Sequence, residues 1–162
     1  MHYYSNELYH HGILGMKWGI RRYQNEDGTL TDVGKKRYAK DFEKATKLNK
    51  RSVNMHREKS DLENQKKVAE VNRDKMSQRI SYSEGINFLT NHYQNKRDQY
   101  AQDAEDLSRE IMTMDPKIYK IDRKLRKRMS KMVERYGATR VSEAVASSHM
   151  QYAKEYLDEI LA

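Results

Sequence analysis

Apolar positions recur at helical spacing along most of this chain. Tyr38, Phe42 and Ala45 lead into Leu48, Met55, Leu62, Ala69 and Met76, the last five set seven residues apart. That spacing predicts a long helix over about 33–80, capped by Thr31 or Asp32 and frayed or broken near Asn49–Asn54. One apolar residue per heptad is a thin seam, since a coiled coil normally has two. Val53, Val68, Val71 and Ile80 widen it only locally.

Ser81-Tyr-Ser-Glu84 has a capping-box pattern and predicts a second helix over about 83–114. Its stripe is Ile86, Leu89, Tyr93, Tyr100, Ala104, Leu107, Ile111 and Met114. Asp115-Pro116 is expected to end that helix and open a third over 116–136, because Pro fits the first helical turn. Ile118, Ile121 (or Asp122 beside it), Leu125, Met129, Met132, Val133 and Tyr136 form its apolar face, and Gly137 its stop. A last helix over 140–161, capped by Thr139 or Ser142, carries Val141, Val145, Ser148, Tyr152, Tyr156 and Ile160 on one side. Long helices with short connections pack antiparallel, stripe on stripe.

The first 34 residues read differently. They hold five of the seven glycines, the only Trp and four of the twelve Tyr. Gly12, Gly15 and Gly19 argue against a stable helix, and Asp27-Gly28 marks a hairpin or tight loop between Ile20–Gln24 and Thr29–Thr31. The expected organisation is an N-terminal Gly- and aromatic-rich module over 1–34 and a helical bundle over 35–162. The fold class is mainly α, an elongated antiparallel helical bundle or coiled-coil-like hairpin.

Composition sharpens this picture. Of the 162 residues 36% are apolar and 35% charged, as expected of long helices that bury a narrow stripe and solvate the rest. The absence of cysteine excludes disulfides, Cys-based zinc sites and a thiol nucleophile. No stretch approaches the ~18 consecutive apolar residues of a transmembrane helix, and Met1–Ile20 lacks the order of a secretory signal peptide. No membrane association is expected.

The net charge of +8 is unevenly spread. Residues 17–51 carry +6 and residues 116–136 carry +7, with −2 between them. Such blocks suit an anionic partner. Lys117, Lys120, Arg123, Lys124, Arg126, Lys127, Arg128, Lys131 and Arg135 share one predicted helix. Two readings stand side by side: internal pairing with the acidic stretch Asp98–Glu110, or an external anionic partner such as nucleic acid. A helix-turn-helix around Tyr136–Thr139 is disfavoured, because its second helix would carry only Arg140 and Lys154 as basic groups.

Catalytic and metal patterns are weak. His10-His11 lacks HxxxH or HExxH spacing. Aligning Gly28 with the turn glycine of a calcium loop places Tyr23 and Gly34 where carboxylates are needed. Gly12, Gly15 and Gly19 do not lead into the Gly-Lys-Ser/Thr of a phosphate-binding loop. The expectation is a protein that is not an enzyme and needs no cofactor or metal.

Aromatic and basic residues alternate near the N-terminus, as in Lys17-Trp18 and Arg21-Arg22-Tyr23. Met16, Trp18, Ile20, Arg21, Arg22 and Tyr23 are candidate partner-docking residues, since an aromatic beside cations anchors well in a partner pocket. The competing reading has Trp18 and Ile20 covering one end of the bundle.

The string Leu8-Tyr-His-His-Gly-Ile-Leu-Gly-Met-Lys-Trp-Gly-Ile-Arg-Arg-Tyr-Gln24, then Asn-Glu-Asp-Gly-Thr-Leu-Thr31 and Gly34-Lys-Lys-Arg-Tyr38, resembles a module found in proteins of tailed bacteriophages and prophages. Those proteins are otherwise unrelated, and many are encoded near capsid, portal or head-morphogenesis genes. The resemblance covers residues 8–38 and carries no catalytic mechanism. It implies a phage or prophage source and a virion-related or early-infection role, in the bacterial host cytoplasm, the virion or both. The leading expectation is a non-enzymatic, head-associated structural or assembly protein with a phage head protein as partner, possible self-association included. The alternatives are an inhibitor of a host-defence nuclease complex and a non-specific nucleic-acid-binding protein.

Overall fold

The computed structural model describes residues 23–25, 27–83 and 85–162. Met16, Trp18, Ile20, Arg21 and Arg22, and the His10-His11 pair, lie outside them. The described chain is mainly α, an antiparallel helical bundle. Four helices follow in order: α1 (Asp32–Tyr82), α2 (Asn87–Tyr136), α3 (Ala138–Ser147) and α4 (Gln151–Leu161). Among the described residues, β pairing is limited to an isolated antiparallel bridge between Gln24 and Leu30.

That bridge closes the expected turn. The Asn25 amide donates to the Thr29 carbonyl at 2.7 Å, and Gly28 takes φ +80°. The Asp27 carboxylate accepts from the Thr29 amide and hydroxyl, which holds its pKa below the ordinary value. Thr31 then caps α1, its hydroxyl oxygen accepting from the Gly34 amide at 3.0 Å. A Cβ at Gly34 would collide with the Tyr23 carbonyl, so the return of the turn onto the helix requires glycine there.

The chain forms two compact units, one combining the described residues up to Lys47 with Leu125–Ala162, the other spanning Leu48–Lys124. In the Leu48–Lys124 unit, stretches of α1 and α2 run antiparallel in heptad register. Ser52 meets Asp122, Lys59 meets Asp115 and Lys66 meets Ser108, so each seven-residue advance on α1 matches a seven-residue retreat on α2. Ala69, Met76, Ala104, Met114 and Ile118 are buried along the seam, whereas Met55, Leu62, Leu107 and Ile111 are only half-buried. Two helices alone cover one narrow stripe of each other, which is why this unit tolerates so many charges. Val68 and Val71 do not widen the seam; both are exposed.

The other unit has four helical elements to share and a fuller core. Ala45, Leu125, Met129, Met132, Tyr136, Val141, Val145 and Ala153 are each essentially inaccessible. Tyr38 packs edge-on against Tyr136, with ring centroids 4.9 Å apart.

Three expected helix ends move. α1 runs through Asn49–Asn54 without interruption. Asn49 and Ser52 are buried there, and the Ser52 hydroxyl is satisfied by Asp122, so polar residues sit in the helix without opening it. Ser81 is not a cap but part of the last turn of α1, donating to the Gln78 carbonyl at 2.7 Å. Gly85, at φ +97°, turns the chain, and a clasp between Ser83 and Thr90 starts α2. Ile86 therefore precedes the helix and is exposed rather than part of the stripe.

The expected break at Asp115-Pro116 is absent: Pro116 lies inside α2. A proline there removes one helical hydrogen bond and crowds the preceding turn. Met114 and Ile118, buried on either side, and the 2.5 Å contact of Lys59 with Asp115 hold the helix together through it.

Gly137 ends α2 as expected, its amide donating to the Val133 carbonyl at φ +86°. It also serves as N-cap of α3, in place of Thr139 or Ser142. The single last helix of the sequence reading is two. Ser147 and Ser148 hydroxyls donate to the Ala144 and Val145 carbonyls, and His149 takes φ +54°. Serine hydroxyls that bind helix carbonyls favour such an end. The break resets the periodicity, so Met150, Ala153 and Leu157 are buried beside Tyr156, positions the unbroken stripe omits.

Candidate functional site

α2 carries the basic block, and its cations divide into two sets. Arg128 and Arg135 each approach the Asp41 carboxylate at 3.1 Å, one on each oxygen. The Tyr136 hydroxyl donates to the same carboxylate at 2.9 Å. Asp41 is buried on α1, one turn from Tyr38 and Ala45, so three donors from α2 satisfy a carboxylate that faces the core. Burial, then the hydrogen bond and charge of Asp41, push the Tyr136 pKa up to about 12. Burial likewise raises that of Tyr38. Arg126 pairs with Glu159 at 2.9 Å and lies 4.7 Å over the Tyr156 ring. Arg128 and Arg135 are thereby tied to a buried carboxylate, whereas Arg126 and Glu159 form an exposed pair.

The second set is different. Lys117, Lys120, Arg123, Lys124, Lys127 and Lys131 are exposed, and none forms an ion pair among the described residues. Internal pairing with Asp98–Glu110 does not occur. Asp98 binds Arg97, while Glu105 and Asp106 bind Arg109. Continuity of α2 is the reason. The acidic and basic stretches are successive lengths of one helix, and side chains meet only within about one turn. A break at Pro116 would have let them fold together.

A polar trio sits in the Leu48–Lys124 unit. The Ser52 hydroxyl donates to Asp122 at 2.5 Å, and His56 Nε2 lies 3.0 Å from the other carboxylate oxygen. Ser, His and Asp invite a hydrolase reading, but the wiring differs from a nucleophilic triad. The carboxylate occupies the centre and binds the serine directly, so the imidazole is not the base of that hydroxyl. Ser52 is also wholly buried. The trio is a packed polar contact between helices. Among the described residues, no group of three or more His, Asp or Glu is placed to hold a metal ion. No helix among them is long and apolar enough to cross a membrane.

Of the candidate docking residues, Tyr23 is described. Its hydroxyl accepts from Arg37, whose guanidinium lies 4.6 Å from the ring centre. The Tyr23 carbonyl accepts from the Thr31 amide at 3.2 Å, and Arg140 donates to the Gly28 carbonyl at 3.2 Å. The turn is thereby tied to α1 and α3, and Tyr23 is an anchor within the chain.

Asp41 and Ser52 escaped the sequence reading. The signal for Asp41 is its place between Tyr38 and Ala45 on the apolar face. Met112 and Tyr119 on α2 were missed as well: they stand seven residues apart and both are exposed.

Residues 1–25 match a family model described as a family of unknown function (DUF7211). The match ends inside the turn that precedes α1. No curated protein and no solved structure matches the chain.

Proposed function

We propose that the protein works by binding, as a non-enzymatic phage or prophage protein associated with the virion head. Its N-terminal segment, with Met16, Trp18, Ile20, Arg21 and Arg22, is the docking element. The helical bundle is the scaffold and presents a basic face to an anionic partner. The observation that carries this reading is the division of cations on α2. Arg126, Arg128 and Arg135 pair with Glu159 and Asp41, while Lys117, Lys120, Arg123, Lys124, Lys127 and Lys131 are exposed and pair with no carboxylate among the described residues. A helix that keeps like charges together without neutralising them favours a partner that does so.

Two further observations support a separate docking segment. The family match stops at residue 25, just where contacts of Tyr23 and Gly28 tie the chain to α1 and α3.

The test is co-sedimentation with heads of the phage that encodes the chain. The wild-type protein is expected to travel with the heads, and Trp18→Ala to stay in the supernatant with unchanged helical circular dichroism. A wild-type protein that never associates with heads overturns the head-associated reading. Loss of helicity in Trp18→Ala would instead make Trp18 part of the bundle.

A further inference from the structure

Tyr119 projects from α2 with 68% of its surface exposed, although an aromatic of that size is ordinarily sheltered. Arg123 is one turn further along the same row, and Met112, also exposed, two turns before it. Lys117, Lys120 and Lys124 form the adjacent row at three- and four-residue steps. All lie within the Leu48–Lys124 unit. The nearby carboxylates are already engaged, Asp115 by Lys59 and Asp122 by Ser52 and His56. What remains is one open aromatic ring with Arg123 on its own row, Lys120 about a quarter of the way round the helix, and Lys117 and Lys124 further round.

We infer that this face of α2 binds single-stranded nucleic acid, its cations tracking phosphates while Tyr119 stacks on an unpaired base. The inference rests on the anionic-partner reading of α2 and narrows it to one chemistry. Phosphates repeat along a strand at a spacing that successive turns of a basic helix can follow. A duplex would satisfy the cations but keep its bases stacked on one another, leaving Tyr119 idle. An acidic protein with a pocket for the ring would shelter Tyr119 as well; failure of both single strands to bind is the outcome that favours it. Base stacking on an exposed aromatic is sequence-tolerant, because every base has a π face.

The experiment is fluorescence anisotropy of the full chain with labelled oligodeoxythymidine, oligouridine and a duplex of equal length. Both single strands are expected to bind more tightly than the duplex. Phosphate contacts from Arg123 and Lys120, the cations nearest Tyr119 along the helix, predict a loss of about sevenfold in single-strand affinity between about 50 and 200 mM salt. Tyr119→Ala should weaken single-strand binding about fivefold or more, with Tyr119→Phe close to wild type and duplex binding unmoved. Lys120→Gln/Arg123→Gln should weaken every nucleic acid and flatten the salt dependence. A difference between oligodeoxythymidine and oligouridine assigns the strand to DNA or RNA. Equal affinity for single strand and duplex, with Tyr119→Ala silent, overturns the inference. So does failure to bind either single strand at low salt. Retention on heparin that depends on Lys120 and Arg123 then shows whether the wider anionic-partner reading survives. All substituted side chains are exposed, and circular dichroism verifies that each variant is folded.

Discussion

The Tyr136 hydroxyl donates to the Asp41 carboxylate at 2.9 Å across 95 positions of sequence, joining the start of α1 to the end of α2. Tyr136 is 1% exposed, and its pKa is pushed up to about 12. The folded state therefore holds the phenol proton more tightly than the unfolded chain, whose tyrosines titrate near 10. The resulting stabilisation is fully present below about pH 10 and is lost as pH rises through about 12. Urea unfolding followed by circular dichroism should show stability falling across that window. Tyr136→Phe should lower stability at neutral pH by about 1–3 kcal/mol and blunt the alkaline fall. An alkaline profile identical in the variant would detach the transition from Tyr136.

Asp41 itself is the harder residue to replace. Asp41→Asn keeps the volume but removes the charge that both Arg128 and Arg135 face. Those arginines are about one-third exposed, so water recovers part of the loss, and a destabilisation of about 2–4 kcal/mol is expected. Lys124→Gln, on an exposed side chain with no ion pair among the described residues, should shift stability by no more than about 0.5 kcal/mol. Thermal melts of the two variants separate structural cations from free ones; similar losses would refute the division.

At Pro116, continuity of the helix makes an unusual expectation. Proline in a helix interior is about 3 kcal/mol less favourable than alanine. Pro116→Ala restores an amide that can donate to the Met112 carbonyl. The variant should be more stable by about 1–3 kcal/mol, with a higher melting temperature and unchanged oligomeric state. Had Pro116 been the first residue of a separate helix, the substitution would be neutral or destabilising.

The same proline shows where sequence and structure part. Heptad spacing at Leu48, Met55, Leu62, Ala69 and Met76 states the face of α1, and the described residues follow it without a break. Gly137 and the Asp27-Gly28 turn were equally legible, since each sits at a positive φ that glycine accepts. Pro116 and Ser148-His149 were not. Both depend on tertiary packing: Met114 and Ile118 hold one helix through a local breaker, and Met150, Ala153 and Leu157 reward a break where no breaker residue stands. The basic block was visible, but not its division, because Asp41 and Glu159 lie far from it in sequence. Tyr119 had no signal beyond its position off the apolar stripe.

Gly34 connects the turn to α1 through a close approach of backbone to backbone. Its φ is not the issue; a Cβ would meet the Tyr23 carbonyl carbon and oxygen. Gly34→Ala must push Tyr23 away, which loosens the Thr31 amide bond and the stacking of Arg37 on the ring. Hydrogen exchange at the Thr31 amide should accelerate about tenfold or more, a loss of about 1.4 kcal/mol of local protection. Helical circular dichroism should hardly change, because the atoms that the Cβ would strike belong to Tyr23 and Thr31, ahead of α1. Unaltered exchange at Thr31 would show that the turn does not depend on that approach.

The Ser52–Asp122–His56 trio yields the last expectation, one that separates a packing role from a chemical one. Asp122→Ala strips the buried Ser52 hydroxyl of its acceptor and removes the contact with His56. An unsatisfied buried hydroxyl costs about 1–3 kcal/mol. Ser52→Ala alone should cost less, about 1 kcal/mol, since Asp122 keeps His56 and is partly solvated. In the double variant no orphaned hydroxyl remains, so it should be more stable than the sum of the single losses predicts, by about 0.5–2 kcal/mol. Urea unfolding of the four proteins measures that coupling. Strict additivity would mean that Ser52 and Asp122 contribute separately, and the contact would no longer account for a serine buried inside α1.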